Sequence, residues 1–298
     1  MELVRHAFRA MGTQILVLVD GSEDAARLAG AVDRVRDTFE RLERRCSRFR
    51  ADSELTRVNR RAGRPTRVSP ELAELVSHAL AAARRTEGRF DPAVLDAVVG
   101  AGYDRDFDEV LAGARVALRP PRPCGRWREV RLEGDRLELP EGVGLDLGGL
   151  AKGWTVDRAA EAALAAGLRW VLVNAGGDLR LLGEAPPEGI PVGVEDPEDP
   201  SAEVLRLHLT AGALATSSIT RRAWGPGLHH LIDPRTGAPA ASGVLQATVW
   251  APTCAEAEVA AKDALLRGET ALGDVPGVLV LADGRVLTNL DAPEGVAA

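Results

Sequence analysis

The sequence predicts an α+β fold, in which helices and hairpins occur without the regular alternation of βαβ units. Apolar residues recur every three or four positions over residues 24–45, as in a long amphipathic helix. Short apolar runs flank turn dipeptides at Gly134-Asp135 and Asp283-Gly284, which indicates antiparallel hairpins. Mixed or antiparallel sheets with helices packed against them are therefore expected.

Capping and turn signals place the other elements. Ser69-Pro70 begins a second helix that ends near Gly88, and residues 156–166 form a third helix after a glycine cluster. Thr253-Cys-Ala-Glu256 is a capping box that begins a fourth helix. The Arg-, Asp- and Pro-rich residues 104–128 are predicted to be a connection. Strands are predicted over 6–19 (with a bend at Met11-Gly-Thr13), 131–139, 170–173, 192–194, 204–209, 245–250 and 277–288.

Composition excludes several classes of protein. The chain has 298 residues, a formal net charge of −7 and 45% hydrophobic residues, which is ordinary for a globular protein and argues against a general nucleic-acid binder. No apolar run approaches the ~20 residues of a membrane helix, and no secretory signal is visible, so a cytoplasmic protein is expected. Cys46, Cys124 and Cys254 show no metal or disulfide spacing and are interpreted as packing residues.

Lysine is rare in this chain. Of 37 basic residues only Lys152 and Lys262 are lysines, and the rest are arginines. A coding bias toward arginine explains the ratio. The two positions nevertheless mark places where a compact ammonium suits better than a planar guanidinium.

Two glycine-rich segments are candidates for ligand binding. Leu145 to Trp154 precedes a helix, where backbone N–H groups and the helix dipole favour an anion, and Lys152 adds positive charge. It is neither a Walker loop nor a Rossmann fingerprint, and a tight strand-to-helix turn is the alternative. Asn174-Ala-Gly-Gly-Asp178 follows a buried strand and permits either close backbone approach to a ligand or a simple hairpin turn.

Other polar groups are candidates for catalysis. His229-His230 precedes the turn sequence Asp-Pro-Arg-Thr-Gly237, and alternation in a strand lets at most one imidazole face a site. Glu258 and Lys262 share one helix face, as site residues or as a surface ion pair. Thr216-Ser-Ser218 offers hydroxyls to a phosphate or caps a turn. The ten arginines from Arg41 to Arg67 favour a solvated helix face.

These segments, in this order, resemble the ApbE family, the FAD:protein FMN transferases. The resemblance runs through nearly the whole chain, so one domain over 1–298 with two intimate lobes and an FAD cleft between them is implied. The residues that carry it are Met11-Gly-Thr13, Ser47 to Asn59 with Asp52-Ser-Glu-Leu55, Phe90-Asp-Pro92, Leu145 to Asp157, Asn174 to Asp178, Thr216-Ser217 and His230-x-x-Asp-Pro-Arg-Thr-Gly237.

The resemblance also implies roles for residues. His230 corresponds to the suspected general base, and the Gly149 carbonyl and Glu258 correspond to Mg²⁺ ligands. Residues expected to contact FAD are Met11, Phe49, Arg89, Phe90, Asp91, Asp146, Lys152, Thr216, Ser217 and His230.

The implied reaction transfers FMN from FAD to a Thr or Ser of a target protein, with release of AMP. An FAD-binding carrier without transferase activity and an FAD pyrophosphatase are the alternatives. This reaction needs a cation to neutralise the diphosphate, a base to accept the hydroxyl proton and a clamp to align the two reactants.

The fourth helix departs from the family pattern, which commonly has Asp and, four residues later, Thr as metal ligands. Here Glu258 and Lys262 stand at those positions. A carboxylate binds Mg²⁺, whereas an ammonium has no lone pair and repels it. Either Lys262 takes the place of the metal and acts with Glu258 in catalysis, or it points away and a weaker Mg²⁺ site remains.

Overall fold

The structure is a computed structural model that describes residues 3–113 and 118–290 and the backbone of 296–297. Strands, in chain order, are β1 (Leu3–Ala10), β2 (Thr13–Asp20), β3 (Thr66–Arg67), β4 (Arg131–Glu133), β5 (Arg136–Glu138), β6 (Trp170–Ala175), β7 (Asp178–Gly183), β8 (Ile190–Glu195), β9 (Glu203–Leu209), β10 (Gly212–Ser218), β11 (Ala223–Gly225), β12 (Leu228–His229), β13 (Ile232–Asp233), β14 (Ala238–Pro239), β15 (Val244–Ala251), β16 (Gly277–Leu281), β17 (Val286–Thr288) and β18 (Val296–Ala297). Helices are α1 (Ala25–Cys46), α2 (Glu54–Arg60), α3 (Pro70–Arg85), α4 (Leu95–Gly100), α5 (Phe107–Leu111), α6 (Ala151–Leu164) and α7 (Cys254–Arg267), with 3-10 turns at Arg126–Glu129 and Gly268–Gly273.

The chain divides into two compact units. The first comprises residues 1–41, 152–218 and 242–298, and the second comprises 42–151 and 219–241. No helix in the described ranges is long and apolar enough to cross a membrane. The single-domain organisation over 1–298 stays a prediction.

A large antiparallel sheet forms the first unit. Within the described residues its strand order is β1-β2-β6-β7-β10-β15-β16-β17, and every neighbouring pair is antiparallel. Alternate residues enter two different cores, since Val171 and Val173 pack with residues of α1, α6 and α7, whereas Trp170 and Leu172 pack with residues of β8 and β9. Because both faces are covered, residues 170–173 of β6 are all apolar, and the predicted α+β class is confirmed.

The second unit is built from shorter elements. β3, β5 and β4 form a small sheet, and β11-β12 and β13-β14 form two hairpins. Ser53 and Ser69 cap α2 and α3 through their side-chain oxygens. A separate apolar cluster gathers Val98, Tyr103, Val110 and Ile232. This cluster fixes the loop that carries Tyr103.

Most predicted elements are found, with three corrections. Residues 6–19 form a hairpin, because Met11 and Gly12 have φ angles of 50° and 67° and turn the chain. The connection 104–128 contains α5, begun by the Asp106 cap, and the 3-10 turn at Arg126–Glu129, while its residues 114–117 lie outside the described part.

The third correction concerns the start of α6. The helix begins at Ala151, five residues before the predicted start, so Lys152 and Gly153 lie in its first turn. Gly153 disfavours a helix by propensity, but a Cβ at this position would lie 2.6 Å from the Cys254 carbonyl oxygen. Close packing of α6 against α7 therefore overrides local propensity.

Candidate functional site

Two glycine-containing turns, one between β1 and β2 and one between β6 and β7, meet at the same end of the strands of the large sheet. Gly176 and Gly177, with φ angles of 59° and 96°, join β6 to β7, so the Asn174–Asp178 segment is a hairpin turn. A Cβ on Gly176 would lie 2.2 Å from the Thr13 hydroxyl oxygen, which places the Met11-Gly12 turn against it. Met11 itself packs on the helix-side core of the sheet.

Lys152 and Asp178 form a buried ion pair beside these turns. The Lys152 ammonium donates to the Asp178 carboxylate and, at 3.2 Å, to the Ala175 carbonyl oxygen. The Asp178 side chain is 1% exposed. Burial lowers the pKa of Lys152, but the carboxylates of Asp178 and Glu258 outweigh it, so the pKa is raised and the ammonium stays charged.

A second buried ion pair lies on α7. Glu258 is 2% exposed, and its Oε1 is 3.2 Å from the Lys262 ammonium. Its Oε2 accepts a 2.8 Å hydrogen bond from the Gly153 N–H. Gly153 directly follows Lys152, so this hydrogen bond places the two ion pairs side by side, and Glu258 also helps to raise the pKa of Lys152. We call Lys152, Asp178, Glu258 and Lys262 the lysine–carboxylate cluster; its formal charge is zero.

Neighbouring groups lock this cluster in place. Asp157 accepts hydrogen bonds from the N–H groups of Cys254 and Ala255, at 2.8 and 2.9 Å, and so caps the start of α7. Burial raises the pKa of the Cys254 thiol, and the carboxylates of Asp178 and Asp157 raise it further. Cys254 is therefore an inert packing residue, as predicted from the absence of any metal spacing.

The predicted hydroxyl pair on β10 is divided by the strand. Ala213 and Ala215 join the helix-side core and Leu214 the opposite core, so alternation puts Ser217 on the helix side and Thr216 on the other. The Thr216 hydroxyl lies 2.9 Å from that of Thr248. A ligand on one face of the sheet therefore meets one of the two hydroxyls.

The second unit holds an arginine between two rings. The Arg48 guanidinium carbon lies 4.1 Å from the Phe49 ring centre and 4.5 Å from that of Tyr103. Its Nε is 2.9 Å from Asp146 Oδ2, and the Arg48 side chain is 6% exposed. Arg48 thus connects Phe49 and Asp146, both predicted to contact FAD. The interpretation of this arginine-rich stretch as a solvated face is wrong for Arg48.

Phe49 and Asp146 present different surfaces. Phe49 is 39% exposed, so part of its ring remains accessible to solvent. Asp146 is largely buried and accepts from the Gly148 N–H through Oδ1 at 2.8 Å. Gly149 follows in the turn that leads into α6.

The Arg89-Phe90-Asp91 segment is held mainly by its last two residues. Phe90 and Asp91 are 5% and 4% exposed. Asp91 accepts hydrogen bonds from Ala93 N–H and Gly125 N–H, at 2.7 and 2.8 Å. Burial raises the pKa of Asp91, partly opposed by these two bonds. Arg89 is left as the more accessible member, with a side chain that is 24% exposed.

The tandem histidines have different environments. His229 is 4% exposed, its Nε2 lies 3.1 Å from the Ala240 carbonyl and its Nδ1 accepts from the Leu231 N–H. Burial lowers the pKa of His229, so it is a neutral structural residue with both nitrogens occupied. His230 is half-buried and its backbone N–H donates to the Arg222 carbonyl at 3.3 Å.

The segment after the histidines is a structural turn, as its composition predicts. Thr236 and Gly237 donate backbone hydrogen bonds to the Asp233 carbonyl, and Arg235 pairs with the Asp233 carboxylate. A Cβ on Gly237 would lie 1.8 Å from the Arg122 carbonyl oxygen, so glycine is required there. The Arg235 hydrogen bonds outweigh burial and lower the pKa of Asp233.

Comparisons with known proteins identify the family of this chain. The sequence model of the ApbE family matches residues 11–275. This chain belongs to the ApbE family. A Vibrio cholerae relative, "FAD:protein FMN transferase", is 29% identical over 258 residues, covering 84% of this chain and 76% of that protein. A Rhodobacter capsulatus relative of the same name is 32% identical over 275 residues, covering 89% of this chain and 52% of that protein.

Solved structures of ApbE proteins share the fold. The ApbE protein from Thermotoga maritima superposes with a TM-score of 0.84 at 24% identity, covering 97% of each chain. The flavin transferase ApbE from Vibrio cholerae has a TM-score of 0.76, also at 24% identity and 97% of each chain. These likenesses establish the ApbE fold for this sequence.

The residues at the family's implied Mg²⁺ position do not suit the ion. Both oxygens of Glu258 are engaged, one by the Gly153 N–H and the other by the Lys262 ammonium. Across the described ranges, no three His, Cys, Asp or Glu side chains gather as a metal site. Mg²⁺ requires several oxygen ligands at short distance, and a neighbouring ammonium repels it.

Sequence reasoning missed Arg48, Tyr103 and the partner of Lys152. Arg48 stands among ten arginines with no distinguishing signal. Tyr103 is the only tyrosine in the chain, and that rarity was the one available sign. Asp178 was noted within a glycine-rich segment, but its pairing with Lys152 depends on tertiary contact.

Proposed function

We propose that this protein is an FAD:protein FMN transferase that moves FMN from FAD to a Thr or Ser hydroxyl of a target protein and releases AMP. The observation that carries the proposal is the lysine–carboxylate cluster, because it gathers both ammonium groups of the chain. Ammonium groups are suited to a diphosphate as compact, mobile charges. Family membership, together with the names of the relatives, supports this choice of substrate.

The proposed step conserves atoms and charge. The hydroxyl oxygen of the target bonds to the FMN-side phosphorus, and the bond from that phosphorus to the bridging oxygen breaks. AMP leaves with the bridging oxygen and its electron pair. The hydroxyl proton passes to a base, for which we propose His230, because both ring nitrogens of His229 are already bound by backbone groups.

The chain's residues divide the remaining tasks. Lys152 and Lys262 are proposed to bind the diphosphate and offset the charge that develops as the bond to the leaving oxygen breaks. Glu258 is proposed to hold Lys262, and Asp178 to hold Lys152. Two further FAD contacts are proposed in the first unit. They are Met11 and one of the two β10 hydroxyls, that of Ser217 or that of Thr216.

The second unit supplies the other proposed FAD contacts. The exposed part of the Phe49 ring is proposed to stack on a ring of FAD, and Asp146 is proposed to accept a hydrogen bond from FAD. Arg89 is proposed to contact FAD directly. Phe90 and Asp91 are buried, so we propose that they shape the loop that carries Arg89.

Labelling of the natural acceptor tests the proposal. The purified protein and FAD are added to a proteome from source cells that lack the gene for this chain. We expect a covalently flavin-labelled protein on a denaturing gel and an equal amount of AMP. Free FMN without a labelled protein would indicate a pyrophosphatase. Bound FAD with neither product would indicate a carrier, and either result would overturn the proposal.

A variant links the labelling to the proposed base. His230→Gln should lose labelling by roughly 100-fold or more, since positioned general bases contribute about 10²–10⁴ in rate. FAD binding, followed by flavin fluorescence, shows whether the loss lies in chemistry. His229→Gln is the control for a histidine that serves only the fold: its labelling rate at a temperature where it is folded should stay near the wild-type value.

A further inference from the structure

Glu258 is a carboxylate that needs a cation. It is 2% exposed, and the Gly153 N–H that donates to Oε2 is a neutral group, which leaves the carboxylate charge uncompensated. Leaving a buried charge without a partner is strongly unfavourable. The Lys262 ammonium meets this need, at 3.2 Å from Oε1 and 3.4 Å from the Glu258 carbonyl oxygen.

This pair differs from an ordinary i,i+4 pair on a helix surface. Surface pairs contribute little because water screens both charges. Here the Lys262 side chain is 18% exposed and that of Glu258 is 2% exposed. The Arg267–Asp263 pair on the same helix has the same spacing, at 3.6 Å and with 24% and 11% exposure. Lys262 is thus the cation of a more deeply buried carboxylate, whereas Asp263 is 8% exposed and Arg267 also pairs with Asp274. Arg267 serves as a comparison of equal spacing on the same helix.

A divalent ion competes with Lys262 for the same oxygen. Any ion bound at Oε1 has to displace the ammonium or bear its repulsion, and the ammonium carries no lone pair to serve as a ligand. The other carboxylate oxygen, Oε2, already accepts a hydrogen bond from the Gly153 N–H. Like the ammonium, this N–H group is a hydrogen-bond donor and offers no lone pair to a metal ion. The geometry therefore favours one resident positive charge at this carboxylate.

We propose that Lys262 Nζ is the built-in cation of this site, held by Glu258 where a divalent ion would otherwise bind, so that the protein needs no Mg²⁺ there. That this built-in cation also binds the FAD diphosphate rests on the proposed function. The part of the inference that concerns metal binding rests on the ion-pair geometry alone. In both respects the positive charge at Glu258 comes from the Lys262 side chain and not from a dissociable metal ion.

Calorimetric titration with MgCl₂, in the absence of FAD, tests the metal part. The wild-type protein is expected to bind no Mg²⁺ at Glu258. Lys262→Thr removes the ammonium, frees Oε1 and adds a hydroxyl oxygen, so it should bind Mg²⁺ at least roughly 100-fold more tightly than the detection limit that the titration sets for wild type. Arg267→Thr removes a charge from the same helix and should behave as wild type.

Further variants keep the test decisive if Lys262→Thr is poorly folded. Its thermal midpoint should then rise on addition of Mg²⁺, because an ion that binds only the folded state stabilises it. Glu258→Gln combined with Lys262→Met removes both charges and should show no Mg²⁺ response. Mg²⁺ binding by wild type that Glu258→Gln abolishes would overturn the inference, as would a Lys262→Thr protein that gains no affinity.

This experiment is separable from the test of the proposed function. The titration contains no FAD and no acceptor, so its result does not depend on transfer activity. A protein that binds no Mg²⁺ and labels no target would refute the transferase proposal and leave Lys262 as the cation of Glu258. A protein that labels its target and binds Mg²⁺ at Glu258 would support the transferase proposal and refute the role of Lys262 as the built-in cation.

Discussion

Gly153 is the position where the packing of α6 on α7 is most sensitive to a single carbon atom. In Gly153→Ala the new Cβ would lie 2.6 Å from the Cys254 carbonyl oxygen, 2.9 Å from its carbon and 3.0 Å from Glu258 Oε2. The first two atoms are backbone and cannot rotate away. The third belongs to the carboxylate that accepts the Gly153 N–H.

The magnitude follows from opposing effects. Alanine favours a helix over glycine by about 1 kcal/mol. Overpacking costs about 1–3 kcal/mol, and loss of a hydrogen bond to a charged group costs about 1.5–3 kcal/mol more. The expected result is a net loss of about 1.5–5 kcal/mol in the free energy of unfolding.

Denaturant unfolding followed by circular dichroism measures this loss. Gly30→Ala is the matched control, because Gly30 lies inside α1 and a Cβ there meets nothing within 4 Å. That control should gain about 0.5–1 kcal/mol from helix propensity alone. If Gly153→Ala were as stable as wild type, the close contact between α6 and α7 would be refuted.

Three further predictions concern buried charges and rings. Asp178→Asn leaves the Lys152 ammonium without its carboxylate and should lower the free energy of unfolding by about 3 kcal/mol, a loss that Lys152→Met in the same chain should largely reverse; an additive double variant would contradict the pairing. Arg48→Lys keeps the charge but not the planar group between Phe49 and Tyr103, so flavin-fluorescence titration should show FAD affinity falling roughly 10-fold; unchanged affinity would remove Arg48 from the proposed site. The pKa of His229 is lowered by burial, so its unfolded form binds a proton that the folded form does not. The contribution of His229 to the free energy of unfolding should therefore be fully present above pH about 6.5 and decrease below it. The decrease should be smaller in His229→Gln, and an equal pH dependence in both proteins would contradict the assignment of this effect to His229.

Local signals made most of the fold predictable. The caps at Ser69 and Thr253 accept the expected backbone N–H groups, and the turn dipeptides at 134–135 and 283–284 fall between paired strands. These features depend on residues within four positions of one another. The start of α6 was misjudged because Gly153 owes its helical conformation to contact with Cys254, about 100 residues away.

The candidate site was predictable as residue types and not as pairings. Helical spacing put Glu258 and Lys262 on one face, but their burial depends on how α7 packs against β10 and β15. Lys152 and Asp178 are paired across 26 positions, which no local pattern indicates. Arg48 could not be separated from nine other arginines, because its burial between two rings arises only in the folded chain.

Titration of wild-type protein with FAD, once in excess EDTA and once in excess Mg²⁺, tests most directly whether the positive charge for the diphosphate resides in the protein. Flavin fluorescence gives the dissociation constant in each case. A built-in lysine cation predicts the same affinity in both solutions, and an affinity that depends on Mg²⁺ only in Lys262→Thr. Wild-type binding that requires Mg²⁺ would contradict the assignment of this role to Lys262.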